Sequence, residues 1–307
     1  MTDEALVRSL LTDQHPDLAG LELRLVDGGW DNQMWRLGED LAVRMPRTER
    51  APALLEKELR WMSALAPGLP LPVPTPVRLG EPSERFPHTW IVTTWVAGVP
   101  ADFSPIDRGV DAADKLAGFL SALHQTAPED APRSSDRGVP LSAVAGGIER
   151  RFDEMFPDDD AASLRKIWAD ALSAETWDGP PMWLHGDLHP ANIVVAGGTL
   201  VGVIDFGDMC AGDPACDLAA AWLLLPAGAD RPFFDAYVEA DAATVRRARG
   251  WALWKSLGLI DIGHAGDMGW DGGKPTWKPA GEATIERLIA SCESTGSTER
   301  SLRRAVG

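Results

Sequence analysis

His185-Gly186-Asp187-Leu188-His189-Pro190-Ala191-Asn192 is followed by Val203-Ile204-Asp205-Phe206-Gly207-Asp208, and then by Gly212-Asp213-Pro214-Ala215-Cys216-Asp217-Leu218-Ala219. Between the first two stretches, Ile193 to Val195 and Leu200 to Ile204 read as short strands joined by a tight Gly197-Gly198 turn. Asn192 and Asp205 therefore stand at the mouths of two paired strands. An amide and a carboxylate so placed offer hard oxygen ligands of the kind Mg²⁺ prefers. A further carboxylate free of metal, Asp187, can accept a hydroxyl proton. These are the parts that phosphoryl transfer requires, since it needs charge clamped and a nucleophile oriented rather than covalent help. His185 and His189 lie four apart, a spacing that can place two metal ligands on one helix face. Pro190 disfavours a helical His189, so the pair reads better as loop residues, His185 bracing the loop and His189 lining the site.

Working outward, residues 5–11 read as a short helix and Leu21 to Asp27 alternates as a half-buried strand does. Gly28-Gly29-Trp30-Asp31-Asn32 is a turn. Gln33 to Leu37 and Leu41 to Met45 are strands, and 52–65 is a helix with Leu55, Leu59, Met62 and Leu65 on one face. A Pro-rich stretch leads to strands at Val77 to Leu79 and Trp90 to Val96. Together they predict a small antiparallel sheet with one packed helix. After about Gly98 the pattern turns helical: a helix reaching Gln125, then 141–156, 160–175, 214–225, 231–239, 242–262 and 281–292, with a disordered tail from 294. The domains expected are 1–97 and 98–307.

The three quoted stretches, in this order and spacing, resemble the aminoglycoside phosphotransferase family, part of the protein-kinase-like superfamily that also holds choline kinases. The resemblance spans roughly residues 21–260. It implies an α+β, two-lobed kinase-like fold, with an antiparallel-sheet N-lobe and a larger, mostly helical C-lobe. It implies Asp187 as catalytic base, Asn192 and Asp205 as Mg²⁺ ligands, and Asp213 and Asp217 as supports of the catalytic loop, with His185 and His189 beside it. ATP or GTP would be held by the first domain. Arg44, in Leu41-Ala42-Val43-Arg44, stands where most kinases have lysine, and can grip phosphate bidentately. By the same resemblance Glu56 is its helix partner; Glu58, two residues on, points elsewhere on the helix and is expected to face solvent. Thr94 and Val96 belong to the hinge whose backbone meets the base. Gly28 and Gly29 would let backbone N–H groups approach phosphate; a plain hairpin turn accounts for them equally well. Asp31 must then face away from the phosphates.

The short run from Asp205 to the helix at Pro214 leaves no room for a long activation segment or a peptide-docking platform. A small-molecule hydroxyl acceptor is expected instead. The formal net charge is −17, most of it after residue 97. Such a charge repels nucleic acid and attracts cations, or simply keeps the chain soluble. The segment 258–282 is Gly-rich and reads as a mobile lid, with Asp261, Asp267, Trp270, Asp271 and Glu282 as candidate substrate contacts. No apolar stretch approaches a membrane span, no secretory signal is read at the N-terminus, and Cys210, Cys216 and Cys292 form no disulfide or zinc framework. A cytoplasmic monomer or dimer is expected. Three functions follow: an antibiotic O-phosphotransferase with aminoglycosides first; a metabolic kinase acting on an amino alcohol, sugar or amino acid such as choline or homoserine; or a nucleotide-binding protein without transfer.

Overall fold

The computed structural model describes residues 2–26 and 29–305, with side chains described as far as 291. The chain divides into two compact units. One is Met1–Gly98 together with Val201–Met209; the other is Val99–Leu200 with Cys210–Gly307.

The first unit opens with α1 (Glu4–Gln14), capped by Asp3, whose carboxylate accepts the Leu6 N–H at 2.8 Å. Then come β1 (Leu23–Val26), β2 (Asn32–Leu37), β3 (Leu41–Pro46), α2 (Ala51–Leu65), β4 (Pro76–Gly80) and β5 (Trp90–Thr94). The strands form one antiparallel sheet in the order β1-β2-β3-β5-β4. Strand alternation sorts the sheet's two faces. Val43 and Met45 join Trp35, Leu37, Trp90 and Val92 in a core closed by Val7, Leu10 and Leu11 of α1. Arg44, between them in sequence, points to the opposite face and meets Glu58 of α2. The sheet thus carries a helix on each face, one more than the sequence pattern predicts.

Val201–Met209 joins this unit for a visible reason. The Val203 N–H donates to Pro72 O at 3.1 Å. A side chain at Gly202 would lie 2.2 Å from Val96 Cγ1, so only glycine allows that approach.

The second unit begins with β6 (Val99–Pro100), followed by α3 (Gly109–Leu123), α4 (Ile148–Met155), α5 (Asp158–Leu172), β7 (Met182–Leu184), β8 (Ile193–Ala196) and β9 (Thr199–Val203). The division between the units falls inside β9. β10 (Cys210–Gly212), α6 (Ala215–Leu218), α7 (Ala220–Leu223), α8 (Asp230–Ala236), α9 (Ala242–Asp267) and α10 (Trp277–Ala305) complete it. Phe119, Phe152, Trp168, Trp222, Phe233 and Trp251 are fully buried within this helical unit. β7 pairs with β10, and this pairing fixes the start of the loop 185–192. The backbone of α10 continues through the stretch expected to be a disordered tail.

The Gly-rich lid is not found. Gly258, Gly263 and Gly266 lie inside α9, which runs past the expected end at 262. A Cβ on Gly263 would meet Lys278 N at 2.2 Å, and one on Gly266 would meet Pro275 N at 2.4 Å. Gly263 and Gly266 serve close packing of the segment 275–278 against α9.

Candidate active site

The loop 185–192 leaves β7 through Gly186, whose φ of +84° suits glycine. Asp217, at the end of α6, is fully buried and grips this turn: its carboxylate accepts the His185 N–H at 2.6 Å and the Gly186 N–H at 2.9 Å. His124 closes the arrangement from α3, with Nε2 3.5 Å from Asp217 and Nδ1 2.8 Å from the Tyr237 hydroxyl. Burial alone would raise the Asp217 carboxyl, but the His124 bond and the charges of His124, Lys255 and His185 outweigh it and hold it below its ordinary range.

Asp187 follows directly. Its N–H donates to His185 Nδ1 at 3.2 Å. One carboxylate oxygen lies 3.5 Å from Arg137 Nη2 and the other 3.4 Å from His189 Nε2. Burial pushes this carboxyl up. The His189 hydrogen bond and charge, with Arg137 and Lys255, more than reverse that and keep Asp187 well below the usual carboxylate range. Its side chain is 32% exposed, so an ionised oxygen is presented to solvent.

Asn192 is held by its amide nitrogen, which donates to Asp187 O at 2.9 Å and lies 3.1 Å from His189 Nε2. Its amide oxygen is the atom left for a cation. His189 is itself covered by Trp277, ring centroids 4.4 Å apart. Asp213 stands differently from expectation. It does not touch the loop; Arg247 grips it, with Nε 2.7 Å from Oδ2, and it accepts the Ala215 N–H at 3.0 Å to start α6. Its support reaches the loop only through the placement of Asp217.

In the first unit, Arg44 is buried and paired with Glu58, and its Nη2 lies 4.0 Å from Asp205. Burial works against the Arg44 charge, but Glu58 and Asp205 outweigh it and raise its pKa further. Glu56, the expected partner, is exposed. Helical geometry explains the correction. Glu58 is three residues after Leu55 and four before Met62, on the buried face, whereas Glu56 is turned about 100° from Leu55. The apolar pattern of α2 contained this signal. Glu58→Gln is therefore expected to weaken nucleotide use by about tenfold or more, and Glu56→Gln to leave it nearly unchanged; nucleotide affinity by calorimetry checks both.

Asp205 adopts φ +65°, and among the described residues it is the one non-glycine with positive φ. Its side chain is 54% exposed. Gly29 has φ +69° and closes so tightly on Asn32 O that a Cβ there would lie 2.4 Å away. Gly28 lies outside the described residues. Arg47 binds the Gly29 and Trp30 carbonyls. Asp31 is turned to Arg50, at 2.7 Å, and to the Thr48 hydroxyl, at 2.6 Å. Burial would raise the Asp31 carboxyl, but these bonds lower it. Arg50 also reaches Asp208, at 3.5 Å. At the hinge, Thr94 N–H and Trp95 N–H are taken by Thr75 O and Asp40 O. The Thr94 hydroxyl accepts from Thr75 N–H. Thr94 therefore ties strands together, and the hinge expectation rests on Val96.

Of the candidate substrate contacts, Asp261 is paired with Arg151, and Asp267 with Lys278 at 3.2 Å. Each of these carboxylates already has a cationic partner within the protein. Trp270, Asp271 and Glu282 are exposed.

The chain belongs to the phosphotransferase enzyme family APH, whose model matches residues 22–251. It is an enzyme that transfers phosphate to a hydroxyl. Its fold is shared with the GDP complex of wild-type aminoglycoside 2'-phosphotransferase-IIIa, with a TM-score of 0.70 at 18% identity over 94% of this chain and 99% of that one. The GDP and kanamycin complex of APH(2")-IIia gives 0.67 at 18% identity, covering 93% and 98%. Macrolide 2'-phosphotransferase MphH from Brachybacterium faecium gives 0.60 at 22%, covering 89% and 97%. No curated protein sequence matches the chain. Among the described residues no helix is long and apolar enough to cross a membrane.

Proposed function

We propose that this enzyme is an antibiotic O-phosphotransferase that moves the γ-phosphoryl group of ATP or GTP onto a hydroxyl of an aminoglycoside in the cytoplasm. The observation that carries the reading is the state of Asp187: an ionised, partly exposed carboxylate on a loop fixed from both sides. The acceptor hydroxyl donates to Asp187, which orients it and takes its proton as the bond to phosphorus forms and the bond to the leaving β-phosphate oxygen breaks. A carboxylate held this acidic is a weak base. That suffices where the transition state is loose and the proton leaves late.

Residues 1–97 are assigned to nucleotide binding and 98–307 to catalysis and acceptor binding. Arg44, kept in place by Glu58, meets the phosphates; Gly28 and Gly29 cover them; Val96 meets the base. Arg44 Nε and Glu58 Oε1 are buried without partners, which suits a pair waiting on a polar ligand. Asn192 and Asp205 are the residues that would hold Mg²⁺. The donors fit: both offer oxygen. Among the described residues no group of three or more His, Cys, Asp or Glu is gathered to hold a metal ion by itself, so the phosphates would have to supply the remaining oxygens. Bound there, the ion would neutralise charge on the phosphates.

The relatives in fold that bind aminoglycosides, and the net charge of −17, support a cationic acceptor. The Asp261 and Asp267 ion pairs weaken that support and favour keeping macrolides beside aminoglycosides. Incubation with ATP or GTP and a panel of kanamycin, gentamicin, a macrolide, choline and homoserine, followed by mass detection of an added phosphate, decides the matter. Phosphorylated aminoglycoside is the expected product. Transfer confined to choline or homoserine would replace the reading with a metabolic kinase.

A further inference from the structure

The Gly186 peptide is clamped by two buried charges of opposite sign. Asp217 takes its N–H at 2.9 Å, and Lys255, from α9, donates through Nζ to its carbonyl at 2.9 Å. Lys255 is only 8% exposed, and its neighbours Leu253, Ser256, Leu257 and Leu259 are buried with it. A buried ammonium costs several kcal/mol of lost hydration, so shape alone would be served better by an apolar side chain. The charge faces a specific set of groups: Asp187, Asp217 and the Cys216 thiol, which burial pushes up to about 11. Gly186 immediately precedes Asp187 in the chain.

We propose that Lys255 is a positioning residue for phosphoryl transfer, fixing the Gly186–Asp187 peptide and offsetting the paired negative charge of Asp187 and Asp217. It acts through Asp187 and does not touch substrate. The inference rests on Asp187 being the residue that receives the acceptor hydroxyl. The sequence carries a signal for it: Lys255 is the lone charge in the apolar run Trp251 to Ile260.

The test sets Lys255→Met, Lys255→Gln and Asp187→Asn beside the wild type. Each is measured for turnover of the acceptor identified above, for thermal unfolding, and for hydrogen exchange of the peptide spanning 183–190. Lys255→Met is expected to lower kcat about 100-fold while leaving both KM values within about twofold. It should also speed exchange at 185–189. Lys255→Gln, which keeps a donor for Gly186 O but not the charge, should restore slow exchange and only part of kcat. If Lys255→Met turns over and exchanges like the wild type while Asp187→Asn is inactive, Lys255 has no such role and the base assignment stands. Full rescue of kcat by glutamine would overturn the charge argument. Should an acceptor be lacking, unchanged exchange in Lys255→Met overturns the proposal alone. If the methionine variant does not fold, the glutamine variant decides: wild-type kcat or wild-type exchange without partial loss of turnover counts against it. An active Asp187→Asn would remove both ideas together.

Discussion

Asp187→Asn should lower turnover by about a thousandfold and leave nucleotide affinity nearly untouched. Asparagine matches aspartate in shape, so the loop has every reason to keep its form. The Gly186 clamp, the His185 bond to the residue 187 N–H and the Asn192 bond to its carbonyl involve no carboxylate oxygen of residue 187. What disappears is the negative charge that, on the proposed function, orients the hydroxyl and receives its proton. Phosphate release or product formation under saturating substrates measures the loss, and calorimetry with the nucleotide alone measures what is retained. Near-normal turnover would mean that another group does this work. The same charge governs pH dependence. Asp187 lies below its ordinary range, so its ionised form persists as pH falls. The rate should therefore not drop as pH is lowered toward about 5, where an unperturbed carboxylate is still mostly ionised as well, and loss through Asp187 should come only in stronger acid.

The second large effect concerns Asp205. Its left-handed backbone costs a non-glycine residue roughly 1–3 kcal/mol, and aspartate tolerates it better than alanine does. Alanine would change both the backbone preference and the ligand, so Asp205→Asn is the cleaner variant. It keeps the size and the tolerance for this conformation, and removes the charge that faces Arg44 and that would meet the proposed Mg²⁺. Loss of several kcal/mol of charge stabilisation corresponds to a rate fall of about a thousandfold or more. Much higher Mg²⁺ should be needed for what remains. Mg²⁺ titration of the residual rate, with thermal unfolding as a control for the fold, provides the check. A rate with the wild-type Mg²⁺ dependence would take Asp205 out of the metal's coordination.

The candidate residues could be picked out because their sequence pattern is local. Asp187, Asn192, Asp205 and Asp217 sit on short segments whose glycines, turns and strands leave a pattern in the sequence. The sheet was readable because its strands are short runs bounded by turn residues. Errors arose where partner choice depends on rotation or on distant packing. Glu56 and Glu58 differ by two positions along a helix, and only the phase of Leu55 and Met62 separates them. Glycines in 258–282 look like flexibility in a linear reading, yet Gly263 and Gly266 exist to admit Lys278 and Pro275. Lys255 and Arg137 reach the loop from far along the chain, and no local pattern announces Arg137. Asp261 was read as a ligand because Arg151, which occupies it, lies more than a hundred residues away.

The return of Val201–Met209 to the first unit bears on how the protein is made. A ribosome that has released only residues 1–98 has not yet delivered the segment carrying Val203 and Gly202, so Pro72 O and the flank of Val96 remain uncovered. The early third of the chain must wait for later synthesis before its packing is complete. Chimeras between homologous enzymes would accordingly need to exchange both pieces at once; a crossover at residue 98 alone would join a sheet to a foreign final segment.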